Sequence, residues 1–265
     1  MPANSDLTLL SDAARAAGDI AKPYWRADPQ TWDKGDGAGP VSEADLAVNR
    51  MLHAELQQAR PGYGWLSEES EDSRERLEKD RVFIIDPIDG TRAFLNGDSH
   101  WSHSLAIAEQ GQVIAAAVYL PVLDRLYLAA RGSGATLNGE KISVSARREI
   151  DGATVLAAKR VLEPAFWPGG IPPVERHFRP SLAYRLSLVA QGRFDAMLVM
   201  RDTWEWDVAA GSLLVQEAGG EVTDSRGNTL RFNNPRPALK GMIAAPSPIH
   251  SILCRHLQPT ATNLR

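Results

Sequence analysis

The chain has 265 residues, 43% of them hydrophobic and 23% charged, with a net charge of −4 at pH 7. That length can bury a large core, and so mild an acidic balance gives no reason to expect a nucleic-acid polymer or a membrane surface as partner. Cys254 is the only cysteine, which excludes an internal disulfide and a cysteine-rich zinc site. With no signal peptide and no run of about 20 apolar residues, the expected location is the cytoplasm.

Residues 7–24 read as an amphipathic helix with Leu9, Ala13, Ala16 and Ile20 on one stripe. Residues 33–40 (DKGDGAGP) have the composition of a loop. Ser42 can cap a helix over residues 43–59, with Leu46, Leu52 and Leu56 facing inward and Asp45 in its first turn, where the helix dipole favours negative charge. Residues 68–80 are acidic and mixed in charge, as a solvated face would be. Strands are expected at 104–108, 113–119 and 126–130, and Asn138-Gly139 marks a hairpin turn. Beyond about residue 151 strands and helices alternate: a helix over 182–191, a strand over 194–200, a helix over 207–218, a strand over 242–245 and a last helix from Ser247-Pro248. The pattern predicts a layered α/β fold with two sheets. It divides at 1–145, an α+β half, and 146–265, an α/β half, rigidly fused because no flexible linker lies between them.

The segment Val82-Phe-Ile-Ile-Asp86-Pro-Ile-Asp89-Gly90-Thr91 concentrates the chemistry. A short apolar strand ends in two carboxylates around Pro87, which fixes φ and has no N–H to give. Asp86 and Asp89 on one turn can bridge hard cations through oxygen. Gly90 and Thr91 suit a helix start, whose free N–H groups attract phosphate. Together they point to metal-assisted phosphate chemistry. Glu68-Glu69 at a probable strand end, Trp206-Asp207 at a helix start, and Lys34 and Asp45 around the first loop-to-helix junction supply further charge. So many acids share a pocket only when cations offset their repulsion. The six histidines show no metal-ligand spacing. His100 and His103, on either side of Trp101, read as packing or surface groups, and Tyr184 and Trp204 as core.

Glu68-Glu69, Asp86-Pro-Ile-Asp89-Gly90-Thr91, Trp206-Asp207-Val-Ala-Ala-Gly211 and Glu217-Ala-Gly-Gly220 resemble, in order and over nearly the whole chain, the inositol monophosphatase superfamily. The resemblance implies an αβαβα sandwich, often a homodimer, that hydrolyses phosphate monoesters with Mg²⁺, about two or three ions per site. It places the metal ligands at Glu68, Asp86, the Ile88 carbonyl, Asp89 and Asp207, with Asp89 also counted among the catalytic groups. Thr91 and Asp45 match the pair that orients the attacking water, Gly90 and Thr91 the phosphate-binding helix start, and Lys34 a basic residue of the active-site loop, counted with the phosphate-binding groups.

The chain departs from the inositol-type pattern on the substrate side. Those members carry a glutamate where this chain has Met200, and a thioether is a poor acceptor for sugar hydroxyls. They also follow Asp-Gly-Thr with a polar residue, where this chain has Arg92. Ser181-Leu-Ala-Tyr-Arg185 with Val189-Ala-Gln-Gly192 is more similar to the 3'(2'),5'-bisphosphate nucleotidase branch. Arg92, Arg185 and Arg201 are therefore expected to hold a second phosphate. The leading expectation is hydrolysis of adenosine 3',5'-bisphosphate. Inositol 1-phosphate or a related sugar phosphate is the alternative, and a catalytically silent metal- or phosphate-binding protein a distant one.

Overall fold

The structure is a computed structural model that describes residues 2–35 and 39–258. Helix α1 (Pro2–Ala21) leads to a small antiparallel pair, β1 (Thr31–Asp33) and β2 (Pro40–Ser42), and then to α2 (Glu43–Ala59). The loop expected over 33–40 is thus flanked by paired strands, and its residues 36–38 lie outside the described residues. A large sheet follows, made of β3 (Gly64–Ser67), β4 (Arg81–Asp89), β5 (Ser102–Glu109), β6 (Gln112–Leu120), β7 (Arg125–Ala130), β8 (Ala135–Leu137) and β9 (Glu140–Ile142), in that spatial order. The short helix α3 (Thr91–Leu95) leaves the end of β4. All these pairs are antiparallel except β3 with β4. Asn138 and Gly139 both have positive φ, as the hairpin between β8 and β9 requires.

The second sheet is built from β10 (Ala153–Ala157), β11 (Val174–His177) and β12 (Ala196–Val199), with α4 (Leu182–Ala190) before β12. After β13 (Thr203–Trp204) come α5 (Glu205–Glu217), β14 (Gly220–Thr223), β15 (Ala238–Leu239), β16 (Met242–Pro246) and α6 (Ser247–His256). Its spatial order is β11-β10-β12-β16-β14, and β13 pairs separately with β15.

Strand alternation builds the layers. Phe83, Ile85, Leu105, Ile107, Ala115 and Ala117 face α1 and α2, whereas Ile84, Ala106, Ala116 and Val118 face α4 and α5. The far side of α4 and α5 packs on Leu156, Met197, Val199, Met242 and Ala244 of the second sheet. The other face of that sheet, including Val155, Leu198 and Ile243, meets Ile249 and Leu253 of α6. The result is an αβαβα sandwich. Because both faces of the large sheet are covered, its central strands are apolar throughout, where a one-sided sheet would alternate.

Helix α5 occupies the middle layer and is buried from Val208 to Val215, as a helix apolar on all sides must be. Gly211 lets α4 approach: a Cβ there would lie 2.5 Å from Leu186 Cβ. The stripe of α1 is rotated from the expected one. Leu10, Ala14, Ala17 and Ala21 are fully buried, and Leu9, Ala16 and Ile20 lie at its margins. In α2, Leu52 and Leu56 are fully buried but Leu46 only partly. The acidic stretch 68–80 is not simply solvated. Arg76 is buried there, bound to Asp72, Asn233 and the Asn234 carbonyl. Among the described residues no helix is long and apolar enough to cross a membrane.

Candidate metal centre and active site

A bulge in β4 decides where its carboxylates point. Residues three apart on a regular strand face opposite sides of the sheet. Here Asp86 pairs with Ser104 and Asp89 with Ser102, so three steps on β4 match two on β5. The extra residue returns Asp86 and Asp89 to the same side. The strand therefore does not end before Asp86, as expected from sequence; its pairing breaks around Pro87 and resumes at Asp89. His103 secures the bulge by donating from Nδ1 to the Pro87 carbonyl. Burial pushes the pKa of this ring down to about 4, so it stays neutral.

Glu68 follows β3, Asp86 lies on β4 and Asp207 is in the first turn of α5. One carboxylate oxygen from each lies within 4.8 Å of the others. Asp86 is buried, and its Oδ1 has no hydrogen-bond partner. Burial, reinforced by the charges of Glu68, Asp89 and Asp207, pushes the Asp86 carboxyl well above its usual range. Burial and the charges of Asp89 and Glu68 do the same to Asp207. A buried acceptor without a donor is unfavourable, and an all-oxygen donor set without sulfur or imidazole suits a hard divalent cation. The residues present fit Mg²⁺.

Asp89 is anchored from the other half of the chain. Its Oδ2 accepts from Ser181 Oγ at 2.5 Å and from the Ala183 N–H at 2.7 Å, both at the start of α4. Burial nonetheless holds its pKa up at about 6. Ser42 and Asp45 form a reciprocal capping box at the start of α2, which pins the buried Asp45 carboxylate. Its Oδ1 lies 3.2 Å from Thr91 Oγ1, and burial raises its pKa to about 6. Thr91 Oγ1 is also 3.0 Å from the Ile88 carbonyl. Gly90, at φ +95°, makes the turn from β4 into α3.

A cavity of about 710 Å³ opens over these groups, lined by Glu68, Asp86, Ile88, Asp89, Gly90, Thr91 and Asp207. Arg92 and Arg201 also line it, joined by Arg179, Phe178 and His100, which sequence reasoning had not placed there. The segment carrying Phe178 and Arg179 is irregular coil, so no periodicity marks it. Two of the expected phosphate ligands are elsewhere. Lys34 Nζ sits 2.6 Å from both Glu68 and Glu69, a counter-ion to the acidic cluster with no place in the cavity wall. Arg185 is buried, donates from Nε to the Arg179 carbonyl, lies against the Phe178 ring and does not line the cavity. Met200 packs with the core of the second sheet. Tyr184 is core as expected, whereas Trp204 is 39% exposed and stacks on Trp206.

The description "Inositol monophosphatase family" matches residues 4–261 of this chain. The chain belongs to that family. Its members are Mg²⁺-dependent phosphomonoesterases. An inositol-1-monophosphatase of Rhizobium meliloti is 39% identical over 197 residues, 71% of this chain and 73% of that protein. Nus factor SuhB of Pseudomonas aeruginosa is 35% identical, covering 84% and 86% of the two chains. Among solved structures, an extragenic suppressor protein suhB of Bartonella henselae superposes with a TM-score of 0.81 at 32% identity, over 96% of this chain and 98% of that one. An IMPase of Thermotoga maritima gives 0.81 at 28% identity over 96% of each.

Membership of this family gives the raised carboxyl pKa values a measurable consequence without metal. Burial and neighbouring charge put Glu69 at about 7 and burial puts Asp45 and Asp89 at about 6, above ordinary carboxyl values near 4. The native state thus keeps protons that the unfolded chain has released, and this stability is lost as pH rises through 6 to 7. His103 and His250, whose pKa values burial lowers, act oppositely, because the unfolded chain takes up their protons as pH falls towards about 6.5. Between pH 8 and 7 the carboxyls dominate. The unfolding temperature of the metal-free protein is expected to rise as pH is lowered across that window. A flat or falling profile would contradict the electrostatic account.

Proposed function

We propose that Glu68, Asp86 and Asp207, with Asp89 and the Ile88 carbonyl, hold Mg²⁺, and that Thr91 and Asp45 activate water. Bound Mg²⁺ supplies positive charge against the phosphoryl oxygens and acidifies water. The Thr91 hydroxyl donates to Asp45 and keeps lone pairs with which to accept from the attacking water. As that water attacks phosphorus and the ester P–O bond breaks, its proton passes to Thr91 Oγ1 while the Thr91 proton passes to Asp45, and the leaving oxygen takes its proton from solvent water. A carboxyl near pKa 6 is suited to take it. The capping box keeps Asp45 in place, and Ser181 and the start of α4 do the same for Asp89. Gly90 and the first turn of α3 give backbone room for the phosphoryl group. If the relay operates, Thr91→Ala lowers kcat about a hundredfold at saturating Mg²⁺. An unchanged kcat would remove Thr91 from the mechanism.

The substrate reading rests on one observation. Arg92, Arg179 and Arg201 line the cavity, and among the described residues none of the three is in an ion pair. Among the described residues, the one further acid lining the cavity besides Glu68, Asp86, Asp89 and Asp207 is Asp98, which is engaged by His100. Unpaired guanidiniums favour a substrate with a second anionic group, such as a 3'(2'),5'-bisphosphate nucleotide. The second reading is a polyol monophosphate, supported by the name of the 39% identical relative. At fixed free Mg²⁺, kcat/KM is expected to be higher for adenosine 3',5'-bisphosphate than for inositol 1-phosphate or adenosine 3'-monophosphate. Arg201→Ala should penalise the bisphosphate more than the monophosphates, by about 1.5–3 kcal/mol. Preference for inositol 1-phosphate, with Arg201→Ala affecting all substrates alike, would favour the polyol reading.

A further inference from the structure

Phe178 is 49% exposed, yet its ring is backed from within the protein. The Arg185 guanidinium lies over one face, 4.4 Å from the ring centroid. Arg185 is itself buried and tied through Nε to the Arg179 carbonyl. A fixed cation over one face of an aromatic ring attracts it and holds its plane. Phe178 also lines the cavity.

His100 repeats the arrangement on the same cavity wall. Its ring stacks on buried Tyr184, with centroids 5.8 Å apart and planes 18° from parallel. Its Nδ1 lies 2.6 Å from Asp98 Oδ1, and the Tyr184 hydroxyl accepts from Arg125. Two flat rings, each backed by a buried partner, thus border a cavity lined also by Arg92, Arg179 and Arg201, which make no ion pair among the described residues.

We infer that Phe178, with His100 beside it, is a stacking platform for a planar aromatic group carried by the leaving alcohol, a nucleobase. The inference rests on the bisphosphate-nucleotide reading above and goes beyond it, because a second phosphate by itself requires no ring. A polyol has no π-face, and its hydroxyls would lose water against Phe178 without gaining a partner. A base gains stacking from a ring that needs little ordering on binding. On this account Arg185 is a positioning residue for Phe178. That explains why a buried guanidinium sits beside the cavity without lining it, at a pKa that burial lowers to about 10.

The test compares adenosine 3',5'-bisphosphate with its base-free counterpart, ribose 3,5-bisphosphate, at fixed free Mg²⁺, using inositol 1-phosphate as reference. The wild-type protein should favour the nucleotide over the base-free compound by about tenfold or more in kcat/KM. Phe178→Ala should erase that ratio through KM, and Phe178→Tyr should retain it. The Kd of adenosine 5'-monophosphate, measured by calorimetry, should rise by a similar factor in Phe178→Ala. Equal losses on both bisphosphates, or none on either, would overturn the platform. If both bisphosphates outperform inositol 1-phosphate without any base preference, the platform fails and the second-phosphate reading stands. If neither does, that reading fails and the platform falls with it.

Discussion

Repulsion among carboxylates brought together out of water is the constraint on which the rest of this structure depends. Two unit charges 4 Å apart interact by roughly 4 kcal/mol at an effective dielectric constant near 20. Glu68, Asp86 and Asp207 make three such pairs within 4.8 Å, and Asp89 adds to them. Set against a typical net stability of about 5–15 kcal/mol, that is too much to leave uncompensated. Lys34 offsets part of it, bound to Glu68 and Glu69. The proton affinity of Asp86 and Asp207, raised by burial and by their neighbours' charge, offsets more. Divalent cations do the same and also bring the charge that a phosphate ester needs.

The scaffold is arranged to hold that concentration of charge still. Each of the three clustered carboxylates comes from a different part of the fold, and each part is fixed by apolar packing rather than by the site itself. Helix α5 brings Asp207 from the buried middle layer, where the missing side chain of Gly211 lets α4 close on it. The β4 bulge turns Asp89 to the side of Asp86, and α4 then anchors Asp89 through Ser181. Glu205, the fully buried first residue of α5, accepts from the backbone N–H groups of both Asn233 and Asn234. Asn233 is also bound to Arg76, so the segment after Glu68-Glu69 and the start of α5 are tied together.

Much of this was legible in the sequence because local physics specifies it. The α2 helix matches its expected bounds because Ser42 and Asp45 cap it within four residues of chain. The carboxylates of the Asp86–Thr91 segment were legible for the same reason, since the motif is contiguous. What the sequence did not show depends on contacts between distant residues. The bulge needs the register against Ser102 and Ser104, which no pattern in β4 reveals. Lys34 and Arg185 were read as phosphate ligands from charge and position, but Lys34 lies nearer to Glu68 and Glu69, and Arg185 is turned under Phe178. Phe178, Arg179 and His100 reach the cavity through coil and turn geometry, where neither helical nor strand periodicity applies.

The account's central claim is that the carboxylate cluster exists to exchange protons for metal. Calorimetric titration of Mg²⁺ into the metal-free protein, in buffers of different ionisation enthalpy, tests it most directly. Binding should release protons at pH 6.5, where the raised carboxyls still hold them, and fewer at pH 8. Binding at pH 6.5 with a heat independent of the buffer, or no binding at either pH, would contradict it.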